Sequence, residues 1–189
     1  MNSNQNLKFL LRFIQNPKQV GSVIPSSRFL AKKMVESVVP WDRVSAIAEL
    51  GSGTGAITRF IKPRVSDAAK VLLFEMDDTM KRDLQTNYPH FSSYSNACHL
   101  TKIMSQHGIH QLDSVISGLP FFNFKSDLRE TLLHQITEAL KPGGYFIAFQ
   151  YSLQMKKHLS EKFIIEKIDF VPLNFPPAFV YICRKKEEI

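Results

Sequence analysis

An α/β fold on a mostly parallel sheet is what the pattern of this chain predicts, and three observations carry it. From residue 44 onward short apolar runs alternate with helical stretches; a glycine-rich turn follows the first run; the last two runs are joined by a short loop with no helix between them. Alternation of strand and helix implies crossover connections and a parallel sheet covered on both faces. Two neighbouring strands with a short link pair antiparallel, so the sheet is expected to finish in a hairpin. At 189 residues, with ten prolines scattered rather than clustered and no internal repeat, the chain is read as one domain over 1–189.

The first expected element is a helix over about 4–15. Leu7, Leu10, Leu11 and Ile14 stand at helical spacing, Phe9 and Phe13 widen the apolar side, and Lys8 and Arg12 lie one turn apart. Asn16-Pro17 ends it, because proline disfavours helix in the residue before it. Ser26 or Ser27 can cap a second helix over 28–38. Strands are predicted over 44–50, 70–75, 91–94, 113–117 and 145–151, with helices over 56–61, 78–87, 99–107 and 127–140 between them. Lys141-Pro142-Gly143-Gly144 is the turn that stops the last helix and starts the fifth strand. The hairpin is then 163–170 and 178–183, joined by 172–177.

Composition narrows the setting. No apolar run is long enough to cross a bilayer, the N-terminus lacks the pattern of a secretory signal, and Cys98 and Cys183 have no metal-type spacing. A cytoplasmic location is expected. The net charge is +7, and residues 1–35 carry Lys8, Arg12, Lys18, Arg28, Lys32 and Lys33 with no acid. A one-sided basic end suits phosphate-bearing partners, either nucleic acid or anionic lipid, or is simply a solvated basic face. Residues 1–38 are read as a helical segment that covers the site as a lid or contacts a membrane.

The chemistry centres on Glu49-Leu50-Gly51-Ser52-Gly53-Thr54-Gly55, at the end of the first strand and the start of a helix. Glycines let the backbone turn tightly and approach a ligand, and in a doubly wound sheet this turn lies where ligands bind. Nicotinamide enzymes share such a turn, but their third glycine falls one place later, where Ala56 stands here. Glu49 also sits beside the turn, where its charge opposes a pyrophosphate. S-adenosylmethionine has no phosphate and carries an ammonium and a sulfonium, so an acid there suits it. Glu75, in Phe74-Glu75-Met76-Asp77 after the second strand, is placed to accept hydrogen bonds from ribose hydroxyls. Asp77 and Asp78 are first-turn helix residues favoured by the dipole. Asn96-Ala97 follows the third strand, where an amide can contact an adenine edge or serve only as a turn residue. His107 and His110 have helix-like spacing without a third ligand, so no metal site is expected.

With these pieces assembled, the sequence resembles the class I S-adenosylmethionine methyltransferases, which have a Rossmann-like fold, and among them the bacterial phospholipid N-methyltransferases. The likeness rests on Asn16-Pro17 and Gly21-Ser22-Val23-Ile24-Pro25-Ser26-Ser27, on the Glu49–Gly55 turn, and on Ser117-Gly118-Leu119-Pro120-Phe121-Phe122-Asn123-Phe124. Lys141–Gly144 and Leu173-Asn174-Phe175-Pro176-Pro177-Ala178 complete it. The resemblance implies a seven-stranded sheet with an antiparallel last strand and methylation of the phosphatidylethanolamine amine at an anionic membrane surface, with the enzyme peripheral at the inner face. It implies cofactor contacts at Glu49, at Gly51 to Gly55 (Ser52, Gly53 and Thr54 included), at Glu75 and Met76, at Asn96 and Ala97, and at Ser117. Leu119, Pro120, Phe121 and Asn123 would meet the substrate, and the Gly118 carbonyl or the Tyr151 hydroxyl would orient the amine. The rRNA adenine dimethylases are the rival pattern. Their Asn-Leu-Pro-Tyr type motif falls on Gly118-Leu119-Pro120-Phe121, which keeps a ring and lacks the amide, so RNA is the lesser partner.

Overall fold

In the computed structural model residues 26–36 and 39–186 are described, and over them the chain forms a seven-stranded sheet with helices on both faces. Helix α1 spans Arg28–Val35, and β1 (Ala46–Leu50), α2 (Thr58–Ile61), β2 (Lys70–Phe74), α3 (Asp78–Asn87), β3 (Ser92–Tyr94) and α4 (Leu100–Gln106) follow. Then come β4 (Leu112–Ser117), α5 (Ser126–Ala139), β5 (Leu140–Gln150), α6 (Lys156–Lys162), β6 (Phe163–Val171) and β7 (Ala178–Lys185). The strand order is β3-β2-β1-β4-β5-β7-β6. The first five strands pair parallel, and β7 pairs antiparallel with both β5 and β6. The sheet ends in the expected hairpin, with β7 inserted beside β5 and β6 left at the edge. The expected helix over 4–15 lies outside the described residues.

Strand periodicity builds two cores from one sheet. Ala46, Ala48 and Leu50 of β1 join Leu72, Phe74, Val115, Phe146 and Tyr181 on the face covered by α4, α5 and α6. Ile47 joins Val71, Leu73, Ile116, Ile147 and Val180 on the face that packs Leu30, Met34 and Ile61 from α1 and α2. Successive side chains of a strand point to opposite faces, so a strand buried on both reads as a continuous apolar run. Every residue of β1 is buried, Glu49 among them.

Three elements depart from expectation. Strand β5 begins at Leu140, because Leu112 pairs with Leu140 and Ser114 with Tyr145, so residues 141–144 bulge out of the ladder between them. The bulge keeps its turn chemistry, with Gly143 at φ +70° and Lys141 paired with Asp113. Burial alone would raise the Asp113 carboxyl, but Lys141 and the N–H groups of Ala46 and Ser45 hold it below the usual carboxylate range. Helix α6 was not expected: within Lys156–Lys162 only Leu159 is buried, too little apolar periodicity to announce a helix. Helix α1 ends at Val35 rather than reaching 38, and Ser27 caps it by accepting the Leu30 N–H at 3.2 Å.

Candidate functional site

The chain lays down β1, β2 and β3 in one direction across the sheet and then returns to place β4 and β5 on the other side of β1. This reversal makes the carboxyl ends of β1 and β4 the switch point of the sheet, the place where open α/β sheets bind ligands. The glycine turn lies there. The N–H groups of Gly51 and Ser52 donate to the Phe74 carbonyl at 2.8 and 3.0 Å, and the Gly118 N–H donates to the Leu50 carbonyl at 2.8 Å. The ends of β1, β2 and β4 are therefore stitched together by backbone hydrogen bonds. Gly118 has no room for a side chain, since a Cβ there would lie 2.9 Å from the Gly51 carbonyl oxygen. Gly53 is the opposite case. At φ +53° it holds a left-handed conformation, and a Cβ would meet nothing within 4 Å, so its backbone borders open space.

Two acids stand at the strand ends on either side of this turn, Glu49 within β1 and Glu75 after β2. The side chain of Glu49 is wholly buried, with Oε2 accepting the Thr58 hydroxyl at 2.7 Å and Oε1 buried without a hydrogen-bond partner. Burial pushes its carboxyl up from 4.5 to about 8; the Thr58 hydrogen bond opposes this and the charge of Glu75 adds to it. Buried polar atoms are nearly always partnered, so the lone Oε1 is an exception, with acceptor capacity left for a donor. Glu75 follows β2 and is almost fully buried. Its Oε2 accepts the Gly53 N–H at 2.7 Å and its Oε1 the Asp77 N–H at 2.8 Å, so it fixes the glycine turn as well as facing it. A carboxylate offers about four acceptor sites, and the two that remain can take vicinal hydroxyls. Met76 follows, half-buried. Asp77 caps α3 through the Thr79 and Met80 N–H groups, both at 2.9 Å, while Asp78 occupies the first turn.

Asn96 proves to be a capping residue. Its Oδ1 accepts the Cys98 N–H at 2.9 Å at the head of a short 3-10 turn, with Ala97 buried beside it. That leaves Nδ2 as the side able to donate to a ligand. Ser117, fully buried, accepts the Leu119 N–H at 3.1 Å and so sets the path of the chain leaving β4. Leu119 is buried against Gly51, and Pro120 is half-buried.

The aromatic run needs one correction. Phe121, expected to offer its ring to a substrate, is turned into the core, where it meets Phe124 at 6.1 Å and Phe146 at 5.8 Å. Residues 121–123 form a 3-10 turn, in which positions i and i+3 align, so Phe121 and Phe124 go inward together. Phe122 is left exposed instead, next to exposed Asn123.

Sequence reasoning missed Gln150, the buried last residue of β5. Its Nε2 donates to the Leu119 carbonyl at 3.0 Å and its Oε1 accepts the Phe122 N–H at 3.4 Å, so it braces the segment after β4 from the neighbouring strand. The available signal was a polar residue closing the apolar run Phe146–Phe149. Tyr151 comes next, part-exposed, with its ring edge-on to Phe149. Burial pushes its phenol further up, so it is a neutral hydrogen-bonding group rather than a base. His107 pairs with the Tyr94 hydroxyl. Among the described residues no group of three His, Cys, Asp or Glu side chains is placed to hold a metal ion.

Comparison with known proteins agrees with this geometry. Residues 48–148 match the family described as methyltransferase domain. An ornithine lipid N-methyltransferase of Singulisphaera acidiphila is 32% identical over 186 residues, covering 95% of this chain and 96% of that protein. Among solved structures, the 1,6-didemethyltoxoflavin-N1-methyltransferase of Burkholderia thailandensis, bound to S-adenosylhomocysteine, superposes with a TM-score of 0.73 at 14% identity, covering 99% of this chain and 92% of that one. The N-methyltransferase NodS of Bradyrhizobium japonicum, also holding S-adenosylhomocysteine, gives 0.71 at 13% identity, covering 96% and 99%. With the glycine turn, the two acids and the strand order in place, the chain belongs to the class I S-adenosylmethionine-dependent methyltransferases and, within them, resembles the lipid N-methyltransferases.

Proposed function

We propose that this enzyme methylates the amine of a membrane aminolipid, phosphatidylethanolamine or its partly methylated forms, while resting on the inner face of the membrane. The observation that carries this reading is Gly118. An adenine methylase of the rival pattern needs a side-chain amide at that position, and here a Cβ alone would press against the Gly51 carbonyl oxygen at 2.9 Å. The segment beyond it, from Gly118 to Phe124, carries no charged residue. A flipped base needs several polar groups to read its edge, and Asn123 is the segment's one polar side chain. The near full-length likeness to a lipid N-methyltransferase supports the same conclusion. It also favours a second reading, in which the amine belongs to an ornithine lipid.

S-adenosylmethionine supplies a methyl group already activated by its sulfonium, so the protein's task is alignment. In this reading Glu75 holds the ribose hydroxyls while its hold on Gly53 keeps the turn open. Glu49 meets the cofactor's ammonium through the Oε1 that lacks a partner. The acceptor amine must reach the site unprotonated. The Gly118 carbonyl and the neutral Tyr151 phenol orient it as hydrogen-bond partners, and its surplus proton passes to water. Gln150 fixes the position of the segment that carries Gly118. No described helix is long and apolar enough to cross a membrane, and contact with the bilayer is assigned to the basic N-terminal end together with the edge of the sheet.

The test offers methyl-labelled S-adenosylmethionine with three acceptor pools in parallel: vesicles containing phosphatidylethanolamine, vesicles containing ornithine lipid, and unmodified ribosomal RNA. Label in phosphatidylethanolamine is the expected result. Label confined to ornithine lipid moves the headgroup to the second reading, and label in RNA with none in lipid overturns both.

A further inference from the structure

We propose that the loop 172–177, which joins β6 to β7, inserts Leu173 and Phe175 into the headgroup region of an anionic bilayer beside the opening of the active site. The purpose of such a contact rests on the lipid reading above, but the contact itself stands on separate observations.

The first is topology. Gln150 at the end of β5 pairs with Phe179, and Val171 pairs with Ala178. The loop therefore emerges at the same edge of the sheet as the carboxyl ends of β4 and β5, where Gly118 and Tyr151 lie. The second is exposure. Leu173 is 62% and Phe175 75% exposed, above every other large apolar side chain described. Between them Asn174 is buried, its Oδ1 accepting the Ser27 N–H at 2.9 Å and its Nδ2 donating to the Pro176 carbonyl at 2.7 Å. The loop is thus anchored at its middle to the start of α1, and the two apolar side chains project on either side of the anchor. Single exposed apolar residues are ordinary; a pinned pair flanking a buried amide is a presented surface.

The third is charge. Residues 170–179 contain no charged side chain. Arg28 follows the residue bonded to Asn174 and lies over the ring of exposed Phe29 at 4.8 Å. Lys156 and Lys157, both exposed, follow exposed Leu153 on the chain leaving β5. Asp169, the acid nearest in sequence, is neutralised by Lys33 at 3.1 Å and Lys167 at 2.8 Å. An uncharged apolar tip bordered by cations matches a bilayer surface, where side chains enter the acyl boundary and cations stay at the phosphates. A protruding tip fits that better than it fits a partner's groove.

The experiment uses the full chain and vesicles of phosphatidylcholine with a minority of phosphatidylglycerol. Neither lipid has an amine open to methylation, so the outcome is independent of which acceptor the enzyme uses. The double variant Leu173→Ser/Phe175→Ser should lose roughly tenfold or more of its vesicle partitioning, the weight of burying such side chains. Its melting temperature and its affinity for S-adenosylhomocysteine should be unchanged, because both side chains are exposed. In Phe175→Trp, emission should shift to the blue on vesicles and be quenched by lipids brominated in the acyl chains, beyond the quenching of Trp41 in the unmodified protein. Unchanged partitioning of the double variant overturns the proposal, as does emission from Phe175→Trp that acyl bromine quenches no further than that of Trp41 alone. Loss of a dimer with vesicle binding retained also overturns it, assigning the tip to a second copy of the chain.

Discussion

Glu49 enters the fold as an acid with one oxygen satisfied and the other bare, and its behaviour with pH follows from that. Its folded value of about 8 lies above the 4.5 of an exposed carboxyl. The unfolded chain therefore releases the proton first. Stability contributed by the neutral form is complete below about pH 4.5 and is lost as pH rises through about 8. The slope is at most about 1.4 kcal/mol per pH unit. Glu49→Gln keeps an acceptor for Thr58 and has no proton to lose, so urea unfolding should show the ligand-free variant gaining on wild type as pH rises across this window. Parallel profiles would place the proton elsewhere. Gly53 makes a separate prediction. Leucine there costs roughly 1–2 kcal/mol for the left-handed backbone, and the Cβ meets nothing in the free protein. The fold should survive Gly53→Leu, while calorimetric affinity for S-adenosylmethionine falls by at least about tenfold, one decade per 1.4 kcal/mol. Equal affinity would mean the open space beside Gly53 is not the cofactor's.

The segment proposed to meet the acceptor is positioned by elements rather than by single residues. The segment after β4 is held from three sides: by Ser117 through the Leu119 N–H, by the Gly118–Leu50 backbone bond, and by Gln150 on β5. Gln150→Leu removes the last of these and leaves the buried Leu119 carbonyl without its partner, a stability cost of about 1–3 kcal/mol. Affinity for the cofactor should change little, whereas kcat should drop by roughly ten- to a hundredfold, as small misplacements do. An unchanged kcat would show that the brace does not govern the acceptor. This scale also shows what the sequence could tell. The central parallel strands β1 and β2 were legible because they are buried on both faces and read as apolar runs; β3 is a short, half-buried Ser92-Ser93-Tyr94 and was legible only from its place between two helices. The glycine turn and Glu75 were legible in position because both fall at strand ends. Gln150 was not, since its partners are backbone groups from a distant segment. Nor was the choice between Phe121 and Phe122, because a 3-10 turn, unlike a strand or an α-helix, leaves no longer-range period to read. Asn96 reads in the sequence as an adenine contact or a plain turn residue, and its cap of the 3-10 turn shows only in the structure.

At the scale of the whole molecule, the hairpin loop is tied to α1, whose cap residue Ser27 donates its N–H to Asn174 of the loop. The net charge of +7 should make association with anionic vesicles fall as salt rises, since exposed charges are screened beyond about 10 Å at 0.1 M. Removing residues 1–15, or replacing Lys8 and Arg12 with Glu, should weaken sedimentation with those vesicles most at low salt. If both variants sediment like the unmodified protein, the opening segment serves the site as a lid and the membrane contact lies elsewhere. The central claim is that the methyl group reaches the headgroup nitrogen of phosphatidylethanolamine, and tandem mass spectrometry reads this atom by atom. The full chain is incubated with phosphatidylethanolamine vesicles and methyl-deuterated S-adenosylmethionine, and the extracted lipid is fragmented. The prediction is deuterated methyl on the headgroup nitrogen alone; deuterium on the acyl chains, or in no lipid at all, would contradict it.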